Sequence, residues 1–332
     1  MSNMHNKNQL HLFGGGDSLV IATDIALKYG WSVSLRTSTR LWNKSSDLAI
    51  KLRERRVAIF IDNTIEHVMS AGPSVNKTDI GLSFGAPWIF PKSWIKHWNG
   101  RIFNSHARML PRHRGAGGAS WLILMNDRKG MASIHELTAG LDEGPIVAKK
   151  LFKYPANLKF PREYDLIDQR QTTFLLKKWL PQAFRGEINK SDQDHSISTY
   201  WPRLSTDKHS WVNWEWTANE IVAFCRAFDS PYAGAQTFLK GEIIRLKSAC
   251  LIDKSYHHPF QSGLIFRIYN NKFIVAAKGG SISFNADVGI AFRLGDRLVT
   301  PASILQAALA TRVTYLPDGL ITTTSSLPDR SS

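Results

Sequence analysis

The sequence predicts an α/β fold: a Rossmann-like, mostly parallel sheet with helices on both faces, followed by a smaller, mainly-β C-terminal unit resembling an open OB-like barrel. Three observations predict it. Strand-like and helix-like segments alternate with short links over the first half. After residue ~155 a long helical stretch and a polar connector interrupt that alternation. From residue 235 the chain turns to short, closely spaced β-rich runs. With 332 residues, 43% of them hydrophobic, the chain has length for two domains and material for a sizeable core.

The elements follow in order. Residues 9–13 (QLHLF) form the first strand, ended by Gly14-Gly15-Gly16. A helix follows over 17–30, with Asp17 or Ser18 as N-cap and Gly30 as stop. Then come a strand (31–37), a helix (46–56), a strand (58–62) and a strand (79–85). The glycine run does not match G-x-G-x-x-G, because position 19 is Leu, so it is read as a tight strand-to-helix turn and not as a nicotinamide site. The stretch 164–186 has helical spacing. Residues 218–228 form an amphipathic helix capped by Thr217 and Glu220. Asn270-Asn271 between β-rich arms predicts a hairpin turn. The expected division is 1–190 catalytic, 191–215 linker, 216–320 C-terminal β-rich domain and 321–332 a flexible tail.

Composition narrows the function classes. The chain has 17 Phe, 11 Trp and 8 Tyr, which argues against disorder. No apolar run is long enough to span a membrane, and the N-terminus has no secretory pattern. Two cysteines, Cys225 and Cys250, suit neither a disulfide framework nor a zinc site, and point to a reducing cytoplasm with no metal. The net charge is +15 (42 Lys+Arg against 27 Asp+Glu). That favours anionic partners such as phosphates, nucleotides, folates or nucleic acid, or is simply a basic surface.

The stretch 101–150 carries the chemistry. Asn104 and His106 lie two apart at the C-terminal end of a strand and therefore share a face. Asp142 sits in the loop TAGLDEGP, 38 residues after Asn104. An Asp can orient and charge a His, the His can exchange a proton, and an Asn amide can donate to a developing oxyanion. The same residue types can equally do no more than hydrogen-bond loops.

The string NSHARMLPRHRG, residues 104–115, resembles the N-x-H-x-S-L-L-P-x-x-R-G signature of the 10-formyltetrahydrofolate-dependent formyltransferases. LTAGLDEGPIV resembles their M-D-x-x-x-D-x-G-x-I element, and residues 211–241 resemble the start of their C-terminal domain. The resemblance implies transfer of the formyl group of 10-formyltetrahydrofolate, without metal, to a primary amine. It makes His106 the proton-transfer residue and assigns Asn104 to the formyl oxygen. Asp142 sets the state of His106. The folate would lie against Phe84, Gly85, Ala86, Trp88 and Ile89 on one side and Ala139, Gly140 and Leu141 on the other. Trp94, and equally Trp88, can instead be core residues.

Two positions depart from the signature: Arg108 stands where the family has Ser, and His113 where an aromatic is common. The acceptor is therefore the open question. The shorter, Gly-poor insertion RTSTRLWNKSSD and the connector TYWPRLSTDKHSWVNW favour an amino-sugar nucleotide, as used in lipopolysaccharide O-antigen synthesis, with Arg203 a candidate for its diphosphate. The cluster Arg108, Arg112, His113 and Arg114 would suit a tRNA. A peptide or siderophore amine and a non-catalytic homologue are the remaining alternatives. A homodimer is the assembly found among sugar-type relatives.

Overall fold

The structure is a computed structural model and describes residues 8–43, 46–70, 76–285, 291–316 and 319–324. The first half runs β1 (Gln9–Gly14), α1 (Ser18–Lys28), β2 (Ser32–Thr37), α2 (Thr39–Trp42), α3 (Ser46–Glu54), β3 (Ala58–Ile61) and α4 (Ile65–Ser70). It continues through β4 (Ile80–Phe84), α5 (Lys92–Lys96), β5 (Ile102–His106), α6 (Ala119–Leu124), β6 (Lys129–Glu136), β7 (Ile146–Lys153) and α7 (Pro161–Phe184). Among the described residues these strands form one seven-stranded sheet in the order β3-β2-β1-β4-β5-β6-β7. Strands β1 to β5 pair in parallel, whereas β6 and β7 join antiparallel. The strand order reverses between β1 and β4, the place where open α/β sheets bind ligands at their carboxyl ends.

The central strands read LHLF and GLSF because both faces are covered. Leu10, Leu12, Leu35, Leu82 and Phe103 are fully buried with α1 and α7 packed over them. The triple glycine makes the tight turn the sequence predicts. Gly14 has φ +102°, and a Cβ there would lie 2.2 Å from the carbonyl oxygen of Phe84. That contact brings the ends of β1 and β4 together. An aromatic cluster of Phe13, Trp88, Phe90, Trp94 and Trp98 fills the space beneath the 86–102 segment.

The second half runs α8 (Thr206–His209), α9 (Ala218–Ala227), β8 (Ala235–Leu239), β9 (Glu242–Leu246), β10 (Cys250–Asp253), β11 (Ile265–Tyr269), β12 (Lys272–Ala277) and β13 (Gly280–Asn285). It ends with β14 (Leu298–Val299), α10 (Ala302–Ala310), β15 (Thr311–Leu316) and β16 (Gly319–Thr324). Strands β8–β14 fall into two antiparallel sheets, β10-β13-β12-β11 and β14-β8-β9, around one apolar core with α9. The expected capping box forms: Glu220 takes the backbone N–H of Thr217, whose hydroxyl accepts from Glu220 N. Asn270 and Asn271 both adopt positive φ at the β11–β12 turn, as that turn requires. The described residues include no helix long and apolar enough to cross a membrane.

Two expectations are corrected. Residues 302–310 are helical, where only short strands were expected. Within the expected tail 321–332, residues 321–324 pair with β15 as part of β16, because the arms of this hairpin satisfy each other's backbone groups. Residues 325–332 lie outside the described residues.

Candidate active site

Asn104 and His106 end β5, beside β4 and β6, so both side chains stand on one face of the sheet at its carboxyl end. The loop after β6 folds back over them. Its turn places Asp142 at φ +50° and fits Gly144 so closely to the sheet that a Cβ would lie 2.0 Å from the Glu136 carbonyl oxygen. The three predicted residues thereby come together. Asp142 Oδ2 stands 3.7 Å from His106 Nδ1, and Asp142 Oδ1 accepts from Asn104 Nδ2 at 3.3 Å.

The hydrogen bonds decide which nitrogen of His106 can work. Its Nε2 lies 2.8 Å from the backbone carbonyl oxygen of His113, which can only accept, so Nε2 carries the proton. The nitrogen left to gain or lose a proton is Nδ1, on the side of Asp142. Burial lowers the His106 pKa below the ordinary histidine value, and Asp142 opposes that without overcoming it. Burial alone would raise the Asp142 carboxyl. His106, His135 and the N–H of Gly115 (2.8 Å) outweigh burial and hold it at about 2.

Two further residues complete the site and escaped the sequence reading. His135 on β6 donates from Nδ1 to the Glu136 carbonyl at 2.9 Å, leaving Nε2 to accept from Asn104 Nδ2 at 3.2 Å. Both hydrogens of the Asn104 amide are thus taken up, by His135 and Asp142. A histidine in the apolar run MASIHEL was the available signal. Gln193 is buried; it donates to the carbonyls of Asp142 (2.8 Å) and Gly144 (2.7 Å) and accepts from Arg114 Nη2 (2.9 Å). A lone Gln in the polar run SDQDHS gave no signal.

A cavity of about 440 Å³ opens on this cluster. Gly85, Ala86, Trp88 and Ile89 line one side and Ala139, Gly140 and Leu141 the other, with Asn104, His106, Asp142 and Arg203 also in the wall. Trp88 is 5% exposed, and its buried Nε1–H has no hydrogen-bond partner among the described residues. Phe84, expected here, is not in the wall: it belongs to the core beneath the sheet, because alternation along β4 points it away from Ser83, which does line the cavity. Trp94 is core, stacked on Phe90 at 4.9 Å.

The basic cluster does not form a phosphate-tracking surface. Arg108, His113 and Arg114 are all buried, and only Arg112 of the four is exposed. Arg108 pairs with Asp168 at 2.5 Å and donates to the carbonyls of Gly117 (2.9 Å) and Ala107. Tyr154 donates its hydroxyl to the other oxygen of Asp168. Burial opposes the charge on Arg108, and Asp168 more than restores it, so the guanidinium is firmly cationic. The residue standing where the signature has Ser therefore braces the 107–117 loop from within. That loop supplies the His113 carbonyl and the Gly115 N–H to the site.

Residues 83–158 match the family model for formyl transferase, and residues 205–286 match that for the formyl transferase C-terminal domain. Two separate stretches of the chain thus carry formyl transferase N- and C-terminal domains.

The chain is 32% identical over 148 residues to a methionyl-tRNA formyltransferase of Chloroflexus aggregans (45% of this chain, 47% of that protein). It is 25% identical over 206 residues to the bifunctional polymyxin resistance protein ArnA of Wigglesworthia glossinidia brevipalpis (62% and 30%). The chain matches between 30% and 60% of the length of such curated relatives. Among solved structures it shares its fold with WlaRD, a sugar 3N-formyl transferase determined in the presence of dTDP and 5-N-formyl-THF. That likeness has TM-score 0.66 at 17% identity, covering 86% of this chain and 100% of the other. An N-formyltransferase of Helicobacter canadensis, solved with folinic acid and dTDP-3-aminofucose, gives TM-score 0.64 at 17% identity, covering 84% and 99%.

Proposed function

We propose that the protein transfers the formyl group of 10-formyltetrahydrofolate to a primary amine, and that the amine belongs to an amino-sugar nucleotide. The observation that carries the first part is the convergence of Asn104, His106 and Asp142 at one cavity. Trp88 lies in its wall, and an indole there suits a flat heterocycle. Bound there, 10-formyltetrahydrofolate supplies the formyl carbon as donor substrate.

The residues then divide the work. His106 Nδ1, unprotonated near neutral pH, takes the proton the amine loses as its nitrogen attacks the formyl carbon. The imidazolium so formed faces the Asp142 carboxylate, which stabilises it. Asn104 re-aims one of its two long amide hydrogen bonds to the formyl oxygen as that oxygen becomes negative. The bond from the formyl carbon to the folate nitrogen breaks, and the proton held by His106 goes to that leaving nitrogen.

The nucleotide reading is supported by Arg203 in the cavity wall and by the dTDP and dTDP-sugar bound to the structural neighbours. The burial of Arg108, His113 and Arg114 weakens the tRNA reading. The +15 charge and the methionyl-tRNA formyltransferase relatives keep it as the second one. Residues 1–190 would hold the catalysis, 191–215 the connector and 216–320 the acceptor-side domain. A cytoplasmic enzyme making a formylated sugar for lipopolysaccharide O-antigen would have these properties. The test offers 10-formyltetrahydrofolate with dTDP-linked 3-amino- and 4-amino-sugars, and separately with initiator methionyl-tRNA. One formyl group gained by a sugar nucleotide is expected; a gain by the tRNA alone would overturn the acceptor assignment.

A further inference from the structure

A second cavity, of about 560 Å³, adjoins the first. Its walls come from four parts of the fold. Trp121 belongs to α6, Trp211 to the connector, Trp216 and Phe224 to α9 and the turn before it, and Leu305 and Leu309 to α10. The polar edges nearby are largely spent inside the protein. Trp121 Nε1–H donates to the Pro202 carbonyl at 2.8 Å. His209 accepts the Ser205 N–H at Nδ1 (2.8 Å) and donates from Nε2 to the Thr311 carbonyl (3.0 Å), which ties β15, and with it α10, to the connector. Leu309 is nonetheless 88% exposed at the mouth. The α10 wall lies after residue 286, beyond both family-matched segments.

Charge and continuity say what such a cavity can take. Arg203 and Arg312 line it, and no carboxylate does among the described residues. Arg203 also lines the cavity that holds His106, so a ligand extending from His106 into the groove passes this residue. A guanidinium suits a phosphate or carboxylate by charge and by its fork of donors. The indoles beyond it suit an uncharged ring or chain.

We propose that this groove receives the distal, uncharged ring or chain of an anionic amine acceptor, whose anionic link lies at Arg203 and whose amine reaches His106. The proposal rests on the amine-acceptor reading above, and adds that affinity for the acceptor comes from an apolar end in a pocket walled by α10.

The test is calorimetric titration of the full chain with inorganic pyrophosphate, thymidine diphosphate and octyl phosphate, with no folate present. Binding is thus read independently of turnover, and a chain that fails to transfer formyl can still support or refute the groove. At least one of the two apolar anions should bind about 10-fold or more tighter than pyrophosphate, the scale of one stacked or buried group. Ala308→Trp, which fills the groove from a half-exposed helix position, should erase that advantage. Leu309→Asp, at a solvent-exposed position, should weaken both apolar anions. An advantage for thymidine diphosphate supports a nucleobase as the occupant, and one for octyl phosphate supports an acyl chain; either upholds the groove. Equal affinity for all three anions, or an advantage untouched by both substitutions in folded protein, overturns it.

Discussion

Removal of Asp168 isolates the buried Arg108 charge and should be the most damaging single change outside the reacting groups. Arg108 and Asp168 are 8% and 6% exposed. Each oxygen of Asp168 has one partner: Arg108 Nη1 on one, the Tyr154 hydroxyl on the other. In Asp168→Ala the guanidinium keeps its carbonyl partners but, among the described residues, has only Asp165, at 3.9 Å, as counter-charge. Breaking a buried pair from one side costs about 3–5 kcal/mol. At roughly 2–4 °C per kcal/mol for folded units of this size, the melting temperature should fall by about 6–20 °C. Thermal and urea unfolding followed by circular dichroism measure this. The double variant Arg108→Met/Asp168→Leu should recover most of the loss, since an apolar pair of similar volume leaves no charge unpaired. A loss below about 1 kcal/mol for Asp168→Ala, or a double variant as unstable as the single, would refute the account of Arg108 as an internal brace.

Three further outcomes follow from the site. The acid limb of the kcat profile should reflect His106 losing its proton below the ordinary histidine value, so rate rises with pH through that point. Asp142→Asn removes the carboxylate that opposes the shift and should move the limb to lower pH by roughly 1–3 units; an unmoved limb would contradict the pairing. Gln193→Leu leaves the Asp142 and Gly144 carbonyls without their donor and should lower kcat more than KM, with the parent pH profile disturbed; unchanged kinetics would remove Gln193 from the site. Asp142 held at about 2, against 3.8 for a free carboxyl, contributes about 2 kcal/mol of stability. Because the folded value is the lower one, that contribution is complete above about pH 4 and is lost as pH falls toward 2. Acid titrations of the parent and Asp142→Asn should converge over that window.

Much of this was legible in the sequence, for definite reasons. The buried strands LHLF and GLSF and the Thr217–Glu220 cap are local signals, and local physics formed them. Asn104, His106 and Asp142 were legible as a set through the resemblance of the two strings that carry them to the formyltransferase signature; their residue types alone left a loop-bonding role open. The antiparallel course of β6 and β7 was not legible, since a buried strand reads the same in either direction. Phe84 was misplaced because the strand read over 79–85 was not followed through its alternation, which turns Phe84 to the face opposite Ser83. The arginine cluster misled because sequence charge suggests exposure, while Asp168 and Gln193, the partners that permit burial, lie 60 and 79 residues away. Gln193 itself was hidden in a polar run that reads as solvated connector.

The central claim is that this cavity moves a formyl group through His106. The most direct measurement is mass spectrometry of an amino-sugar nucleotide incubated with 10-formyltetrahydrofolate and either the parent chain or His106→Ala, with folate binding of both measured by titration. The account predicts one formyl group gained with the parent chain and a rate lower by about 10³-fold or more in the variant, which still folds and binds folate. Equal transfer by both proteins would contradict it.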